Sequence, residues 1–309
     1  MKGISAVVPV YQSESSLEEL CGELAGTLSG IGMPYEIVLV EDGGKDGAWD
    51  VIRRLAASDP KVRGIRLSRN YGQHNALLCG IREARQEIIL TLDDDLQHPP
   101  SEIPKLLAKL QEGYDVVYGI PSERVHGRGR LLATKAAKWA LKNLLRVGSA
   151  DYAGAFRLFR ASLREGFAEC RGSYVSVDVL LGWCTDSFAS VAVHLRERKF
   201  GRSHYGLGKL VAHTFNMVTG YSAFPLQIAS WIGFFFTLFG IGVLTFVLAR
   251  YLWSGRSVPG FAFLASIIAI FSGAQLFTLG IFGEYLARMY YRMLGRPTYV
   301  VKTRTGQGD

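Results

Sequence analysis

Cysteine is scarce in this chain: four in 309 residues, at Cys21, Cys79, Cys170 and Cys184, with no C-x-x-C pair. That scatter excludes a disulfide scaffold or a zinc ribbon and reads as free thiols in a reducing compartment. Zinc-finger spacing and an RNA-binding aromatic motif are also missing, so the formal net charge of +8 is not read as a nucleic-acid footprint. Acidic residues nearly vanish towards the C-terminus. Residues 223–309 hold 7 Lys/Arg and 2 Asp/Glu, against 28 and 25 in residues 1–222. A basic excess beside long apolar runs points to a membrane surface. Met1-Lys2 leads straight into the first apolar run, so no cleavable signal is expected and the N-terminal domain is expected in the cytoplasm.

What stands out is the stretch Leu90-Thr91-Leu92-Asp93-Asp94-Asp95-Leu96-Gln97-His98-Pro99-Pro100. The apolar run starting at Glu87 reads as a buried strand, and it ends abruptly in three carboxylates. Pro99-Pro100 then forbids further ladder pairing. Extended backbone alternates its side chains, so Asp93 and Asp95 are expected on one face and Asp94 on the other. Two like charges on one face at the end of a buried strand repel each other and lose solvation. A divalent cation cancels that cost, and hard oxygen ligands suit magnesium or manganese. A solvated acidic turn is the plainer alternative.

Around this stretch strands and helices alternate. Strands are expected at 4–10, 36–40, 62–67, 87–92 and 115–118, and helices at 48–57, 75–85, 101–110 and from Ser16 to about residue 28. Short loops between them imply an α/β fold with a parallel, doubly wound sheet. Ligands bind such sheets at the carboxyl ends of the strands, where Tyr11, Asp42, Arg69 and Asp93 fall. Further strands are expected near 156–159 and 191–194, followed by a basic, Gly-containing loop at 196–205.

Residues 120–146 differ in character, with seven Lys/Arg against the single acid Glu123 and interleaved Leu and Trp139. A basic amphipathic helix at 128–146 fits one lying in the headgroup plane, and an ordinary surface helix is the alternative. A second such helix is expected at 207–219. Residues 224–253 and 261–286 are almost wholly apolar, each longer than the ~20 residues that span a bilayer. The short loop at Ser254-Gly255-Arg256-Ser257-Val258 makes them a hairpin, and Arg288, Arg292, Arg296, Lys302 and Arg304 place the tail in the cytoplasm by the positive-inside rule. The expected organisation is a cytoplasmic domain at 1–222, a two-helix membrane segment at 223–287 and a basic tail at 288–309. Gly233 with Gly240, and Gly273 with Gly280, offer small faces for close helix contact.

The ordered set Pro9-Val10-Tyr11, Glu41-Asp42-Gly43, Arg69-Asn70-Tyr71-Gly72, Asp93-Asp94-Asp95-Leu96-Gln97 and Gly201-Arg202-Ser203-His204-Tyr205 resembles the polyprenyl-phosphate glycosyltransferases. These are inverting GT-A enzymes of the dolichol-phosphate-mannose-synthase type. The two-span hairpin with Gly283-Glu284-Tyr285 and Arg296-Pro297 resembles the bacterial branch, which includes bactoprenol glucosyltransferases and undecaprenyl-phosphate aminoarabinose transferases. The match runs over almost the whole chain. It implies a GT-A doubly wound, Rossmann-like sheet with interfacial helices and a transmembrane hairpin. It also implies a sugar moved from a nucleotide diphosphate, a UDP-sugar in this branch, to polyprenyl (undecaprenyl) phosphate at the cytoplasmic leaflet of a bacterial inner membrane. A tetramer and a Mg or Mn ion are further implications.

Residue by residue, Asp42 matches the acid that bonds the nucleotide base, with Pro9, Tyr11 and Glu14 lining that pocket, and Arg69, Gly72 and Asp94 join the nucleotide-sugar set. Asp93 and Asp95 match the metal-bearing carboxylates, and Gln97 a residue beside the metal. Arg124, Arg130 and Thr134 match positions that hold the lipid phosphate. Arg198 and Ser203 match the loop closing over the diphosphate, and Tyr205 the aromatic that follows. Asp151 matches an acid proposed as general base; with Asp95 and Arg130 it makes the candidate catalytic set. A phosphate monoester is already largely ionised at neutral pH, with a second pKa near ~6, and needs aligning more than deprotonating.

Three positions depart from the pattern. Ala155 stands where relatives carry an acid, His204 where a lysine is usual, and Arg202 where an acid is common, so the positive charge has moved two residues along. These bear on the donor sugar more than on the reaction. A processive polysaccharide synthase would need a longer membrane channel and a Gln-x-x-Arg-Trp motif, which this sequence lacks. A non-catalytic membrane scaffold is the remaining alternative, and the intact Asp93/Asp95 pair argues against it.

Overall fold

A computed structural model of the chain describes residues 3–122, 154–168, 170, 175–196, 222–254 and 260–306. The chain divides into two units, Met1–Gly206 with Gly295–Asp309, and Leu207–Leu294.

The first unit is built on strands β1 (Ile4–Val10), β2 (Tyr35–Glu41), β3 (Val62–Leu67), β4 (Ile88–Thr91), β5 (Val116–Pro121), β6 (Arg157–Arg160), β7 (Phe188–Val193) and β8 (Val301–Arg304). Among the described residues they form one sheet in the order β7-β5-β6-β4-β1-β2-β3-β8. Every residue of β1 and β2 is buried, as in strands covered on both faces, and their polar members Ser5, Glu36 and Glu41 are hydrogen-bonded. Along β1 the side chains alternate between two cores. Ala6, Val8 and Val10 join α1 (Leu17–Ile31), α2 (Ala48–Ser58) and α4 (Ile103–Gln111), while Val7 joins α3 (Gln73–Glu83) and α5 (Val177–Cys184). Helix α1 buries Leu17, Leu20, Leu24 and Leu28, one face at helical spacing, and closes on Gly32 in the left-handed conformation. Helix α3 lies so close to the sheet that a Cβ at Gly80 would run into the Val7 side chain.

Strand β1 pairs in parallel with both β2 and β4, and β2 with β3, so the winding reverses at the β1/β4 seam. The sheet is mixed rather than wholly parallel. β6 lies antiparallel between β4 and β5, and β8 antiparallel against β3. Neither strand follows a short strand-helix-strand crossover, which is the pattern from which parallel pairing was inferred. The segment expected as a basic tail instead returns to the first unit. Ser68 N donates to the Val300 carbonyl at 2.9 Å, Gly64 N to Thr305 Oγ1 at 2.9 Å, and Arg304 pairs with Glu83 at 2.9 Å.

The second unit holds α6 (Phe224–Ser254) and α7 (Phe261–Met293), of 31 and 33 residues. Among the described residues one stretch, Phe224–Arg250, is long and apolar enough by length and composition to cross a membrane. α7 runs past the expected end at 286, and an i,i+4 pair between Glu284 and Arg288 at 2.6 Å supports that extension. The helices meet through Phe271, which packs edge-on to Phe236 at 5.3 Å and stacks with Phe239 at 6.4 Å. Of the four glycines expected at a close contact, Gly240 alone faces a described atom of the other helix, and that atom belongs to Phe271. Among the described residues this contact is aromatic.

Candidate active site

The carboxyl ends of β1, β2 and β4 and the turn into α3 enclose a cleft of about 210 Å³, lined by Pro9, Val10, Tyr11, Asp42, Asn70, Gly72, Gln73, Asp93, Asp94 and Asp95. It sits at the β1/β4 seam, where doubly wound sheets bind ligands. A wider groove, edged by Trp49, Arg53, Arg54, Arg63 and Arg304, lies away from this chemistry beside α2 and β8.

Four carboxylates line the cleft, and none of its lining residues is Lys or Arg. The four are held differently. Asp42 accepts Tyr71 N at 2.7 Å and Gly72 N at 2.8 Å, which pins the turn after β3 to the end of β2. Burial pushes its carboxyl above the usual range, against the pull of those two N–H groups. Asp94 accepts the Ser13 hydroxyl at 2.5 Å and Tyr11 N at 3.0 Å, and its carbonyl takes the Ser16 hydroxyl at 2.7 Å. Here too burial raises the carboxyl, opposed first by Ser13. Asp93 accepts the Gln73 amide at 2.5 Å, and Asp95 accepts Gln97 N at 3.2 Å. β4 ends at Thr91, before the acidic triplet, so strand alternation does not set the three side chains: Asp94 ties down the loop after β1, while Asp93 and Asp95 bond to the rim of α3 and to their own turn.

The backbone is bent to achieve this. Among the described residues two non-glycines have positive φ, Gln12 at 55° just after β1 and Leu96 at 61° just after Asp95. Left-handed backbone costs an L-residue about 1–2 kcal/mol. The Leu96 side chain is fully buried in the core and holds its backbone in place against that cost. Gly43 has φ 66°, and a Cβ there would strike the backbone of Arg69 and Asn70. Only glycine lets the loops after β2 and β3 approach so closely.

Of the expected site residues, Pro9, Tyr11, Asp42, Gly72, Asp93, Asp94 and Asp95 come together at the cleft. Glu14 turns away from it, its carboxylate accepting Gly47 N at 3.0 Å at the start of α2. The Arg69 guanidinium lies 4.8 Å over the Tyr71 ring. Gln97 contributes backbone: its N–H bonds Asp95, and its carbonyl accepts Arg196 N at 3.0 Å. Arg124, Arg130, Thr134, Asp151, Arg198, Ser203, Tyr205 and the two expected interfacial helices lie outside the described residues.

Sequence reasoning missed Gln73 and Asn70 in the cleft, and missed a buried network behind it. Arg157 is 1% exposed. Its Nε donates to Thr91 Oγ1 at 3.0 Å and its Nη1 pairs with Asp178, which also accepts the Tyr118 hydroxyl at 3.0 Å. The signal available was an arginine inside the apolar run Phe156-Arg157-Leu158-Phe159. His98 stacks on Phe156 at 5.4 Å, and burial lowers its imidazole pKa, partly offset by Asp95.

No group of three His, Cys, Asp or Glu suited to a metal occurs among the described residues. Two carboxylates on one cleft still fit a hard cation such as Mg²⁺, which binds through one or two carboxylates, waters and substrate phosphates.

Residues 5–167 match the model of "Glycosyl transferase family 2". The chain is 37% identical over 302 residues to the undecaprenyl-phosphate 4-deoxy-4-formamido-L-arabinose transferase of Shewanella sediminis, covering 97% of this chain and 91% of the relative. It is 34% identical over 305 residues to the protein of the same name from Pseudomonas aeruginosa PAO1, covering 97% and 89%. Among solved structures it shares its fold with glucosyl-3-phosphoglycerate synthase of Mycobacterium tuberculosis, solved with Mn²⁺, UDP-glucose and phosphoglyceric acid. That likeness has a TM-score of 0.53 at 20% identity, over 71% of this chain and 78% of that one.

Proposed function

The chain belongs to glycosyl transferase family 2, and from that premise we propose that it moves a sugar from a UDP-sugar to undecaprenyl phosphate at the cytoplasmic face of a bacterial inner membrane. The names of its relatives make a 4-deoxy-4-formamido pentose the first donor sugar to test. In this reading the hairpin of α6 and α7 spans the membrane twice.

One observation carries the reading. The cleft at the β1/β4 seam is lined by four carboxylates and no cation. Two of them, Asp42 and Asp94, are engaged by donors that hold loops together. Asp93 bonds the Gln73 amide and Asp95 its own turn, and in this reading an anionic diphosphate meets that pair favourably only across a divalent cation. Bound there, Mg²⁺ or Mn²⁺ would neutralise charge growing on the departing diphosphate. Asp42, Pro9 and Tyr11 hold the nucleotide end. Arg124, Arg130 and Thr134 hold the lipid phosphate, with Arg130 and Thr134 four residues apart in the sequence, and Arg198, Ser203 and Tyr205 close over the diphosphate. Asp151 orients the acceptor. A homo-oligomer is part of the same reading.

The test is a transfer assay with a panel of UDP- and GDP-sugars, short polyprenyl phosphates and Mn²⁺. A lipid-linked monosaccharide should form, vanish with EDTA, and fall at least about 100-fold in Asp95→Asn, the scale of losing one transition-state charge partner. Arg130→Ala should weaken use of the lipid phosphate more than binding of nucleotide. Full activity of Asp95→Asn, or activity indifferent to EDTA, would end this reading.

A further inference from the structure

We propose that Gln73 is a positioning residue: its amide holds the Asp93 carboxylate in the orientation that receives the divalent cation, and it links that carboxylate to the nucleotide-binding acid Asp42. The inference rests on the cation reading of the Asp93/Asp95 pair.

Gln73 is the first residue of α3 and lines the cleft, with its Nε2 2.5 Å from Asp93 Oδ1. Its backbone is not left to choose its own position. Gly72, immediately before it, has φ 94°, a conformation glycine adopts without strain, and its N–H is held by Asp42 Oδ2 at 2.8 Å. Asn75 N and Ala76 N both return to the Gly72 carbonyl, at 2.9 and 3.1 Å, and fix the first turn of the helix. Asp42 therefore sets Gly72, Gly72 sets the start of α3, and Gln73 reaches from there to Asp93. The ends of β2 and β4, which are not neighbours in the sheet, are joined through this one side chain.

A neutral amide suits the task. It donates one hydrogen bond to a carboxylate oxygen that keeps a further lone pair for a cation, and it adds no charge to compete with that cation. Outer partners of this kind orient metal-bearing carboxylates, and losing one typically costs 10–100-fold in metal affinity. Gln73 is solvent-exposed, which puts its effect at the low end of that range.

The experiment is Mn²⁺ titration of the full chain in detergent with UDP at a fixed concentration and no acceptor, followed by electron paramagnetic resonance. It compares wild type, Gln73→Met, Gln73→Glu, Gln73→Lys and Asp95→Asn. Methionine keeps the length and helix propensity of glutamine and removes the donor, so thermal unfolding of Gln73→Met should match wild type while Mn²⁺ binds about tenfold more weakly. Lysine places a competing cation on Asp93 and should weaken binding further. Glutamate places a third oxygen ligand beside Asp93 and should bind Mn²⁺ more tightly than Gln73→Met. A helix-stabilising role alone would not produce that order. Wild-type Mn²⁺ affinity in Gln73→Met, or equal affinities of the Met, Glu and Lys variants, overturns the inference while leaving the acid pair standing. Wild type that binds no Mn²⁺, or Asp95→Asn that binds it unchanged, overturns the acid-pair reading itself.

Discussion

Replacing Arg157 by methionine tests whether the cleft depends on what lies behind it. The guanidinium is 1% exposed and joins Thr91, the last residue of β4, to Asp178 in the first turn of α5. Besides Arg157, Asp178 is bonded by the Tyr118 hydroxyl at 3.0 Å, and its side chain is 17% exposed. Methionine fills much of the same volume, so the loss comes mainly from leaving a largely buried carboxylate without its cation. Breaking such a pair from one side costs about 3–5 kcal/mol. At about 2–4 °C per kcal/mol, melting should fall by on the order of 10 °C. Thermal unfolding of the full chain in detergent, followed by near-UV circular dichroism, measures this. The double variant Arg157→Met/Asp178→Asn removes the stranded charge and should recover at least about 1 kcal/mol of the loss. Arg157→Lys keeps the charge without the fork that serves Thr91 and Asp178 together, and should fall between. Melting of Arg157→Met within 2 °C of wild type (about 1 kcal/mol on that scale), or a double variant as unstable as the sum of its singles, would refute the reasoning.

Two further outcomes follow from the packing and the titration behaviour of the first unit. Gly80→Ala puts a methyl against Val7 on the buried seam between α3 and β1; overpacking of about 1–3 kcal/mol should outweigh the roughly 1 kcal/mol gained in helix propensity, and a higher melting temperature would contradict that close approach. His98 has a folded-state pKa below its ordinary value because burial disfavours the imidazolium. The unfolded chain therefore binds more protons below about pH 6.5, and His98 contributes stability at neutral pH that is lost as pH falls through that value. The wild-type minus His98→Asn difference in melting temperature should shrink between pH 8 and pH 5, and a difference that grows would reverse the sign assigned here.

The first 120 residues were largely legible because each strand there is an apolar run cut off by turn residues, and each helix repeats its apolar face at the proper spacing. Strands predicted at 36–40 and 62–67 appear as Tyr35–Glu41 and Val62–Leu67. The acidic triplet was legible for the same reason: a charge cluster cannot continue a buried strand. Strand β8 was not. Val301–Arg304 alternates Val-Lys-Thr-Arg and looks like a charged tail, and its place is set by pairing with β3 more than 230 residues earlier, through contacts such as Thr305 with Gly64. The role of Asp94 was half legible. Its difference from Asp93 and Asp95 was expected from strand alternation, but β4 ends at Thr91 and nothing local announces that Ser13 and Tyr11 will meet it. Gln73 sits at a helix start in the company of Asn70 and Gly72, and its reach to Asp93 depends on where the loops of β2 and β3 cross.

Helix α3 is where the site and the returning chain meet mechanically. Its first residue holds Asp93, and its last turns hold the C-terminal segment. Glu83 pairs with Arg304, and Arg82 lies 5.7 Å over the Tyr299 ring while donating to the carbonyls of Phe167 at 2.7 Å and Cys170 at 2.9 Å. The packed middle of the helix, Ala76 to Ile81, is buried throughout, with Gly80 set directly against Val7 of the central strand. A rod clamped in this way cannot rotate at one end and stay fixed at the other, because the two ends share a continuous hydrogen-bonded backbone in a close-packed core. The chain that re-enters at residue 295 has just left the long apolar helices. The acid Asp93 and the re-entering strand β8 are thus bonded to opposite ends of the same packed helix.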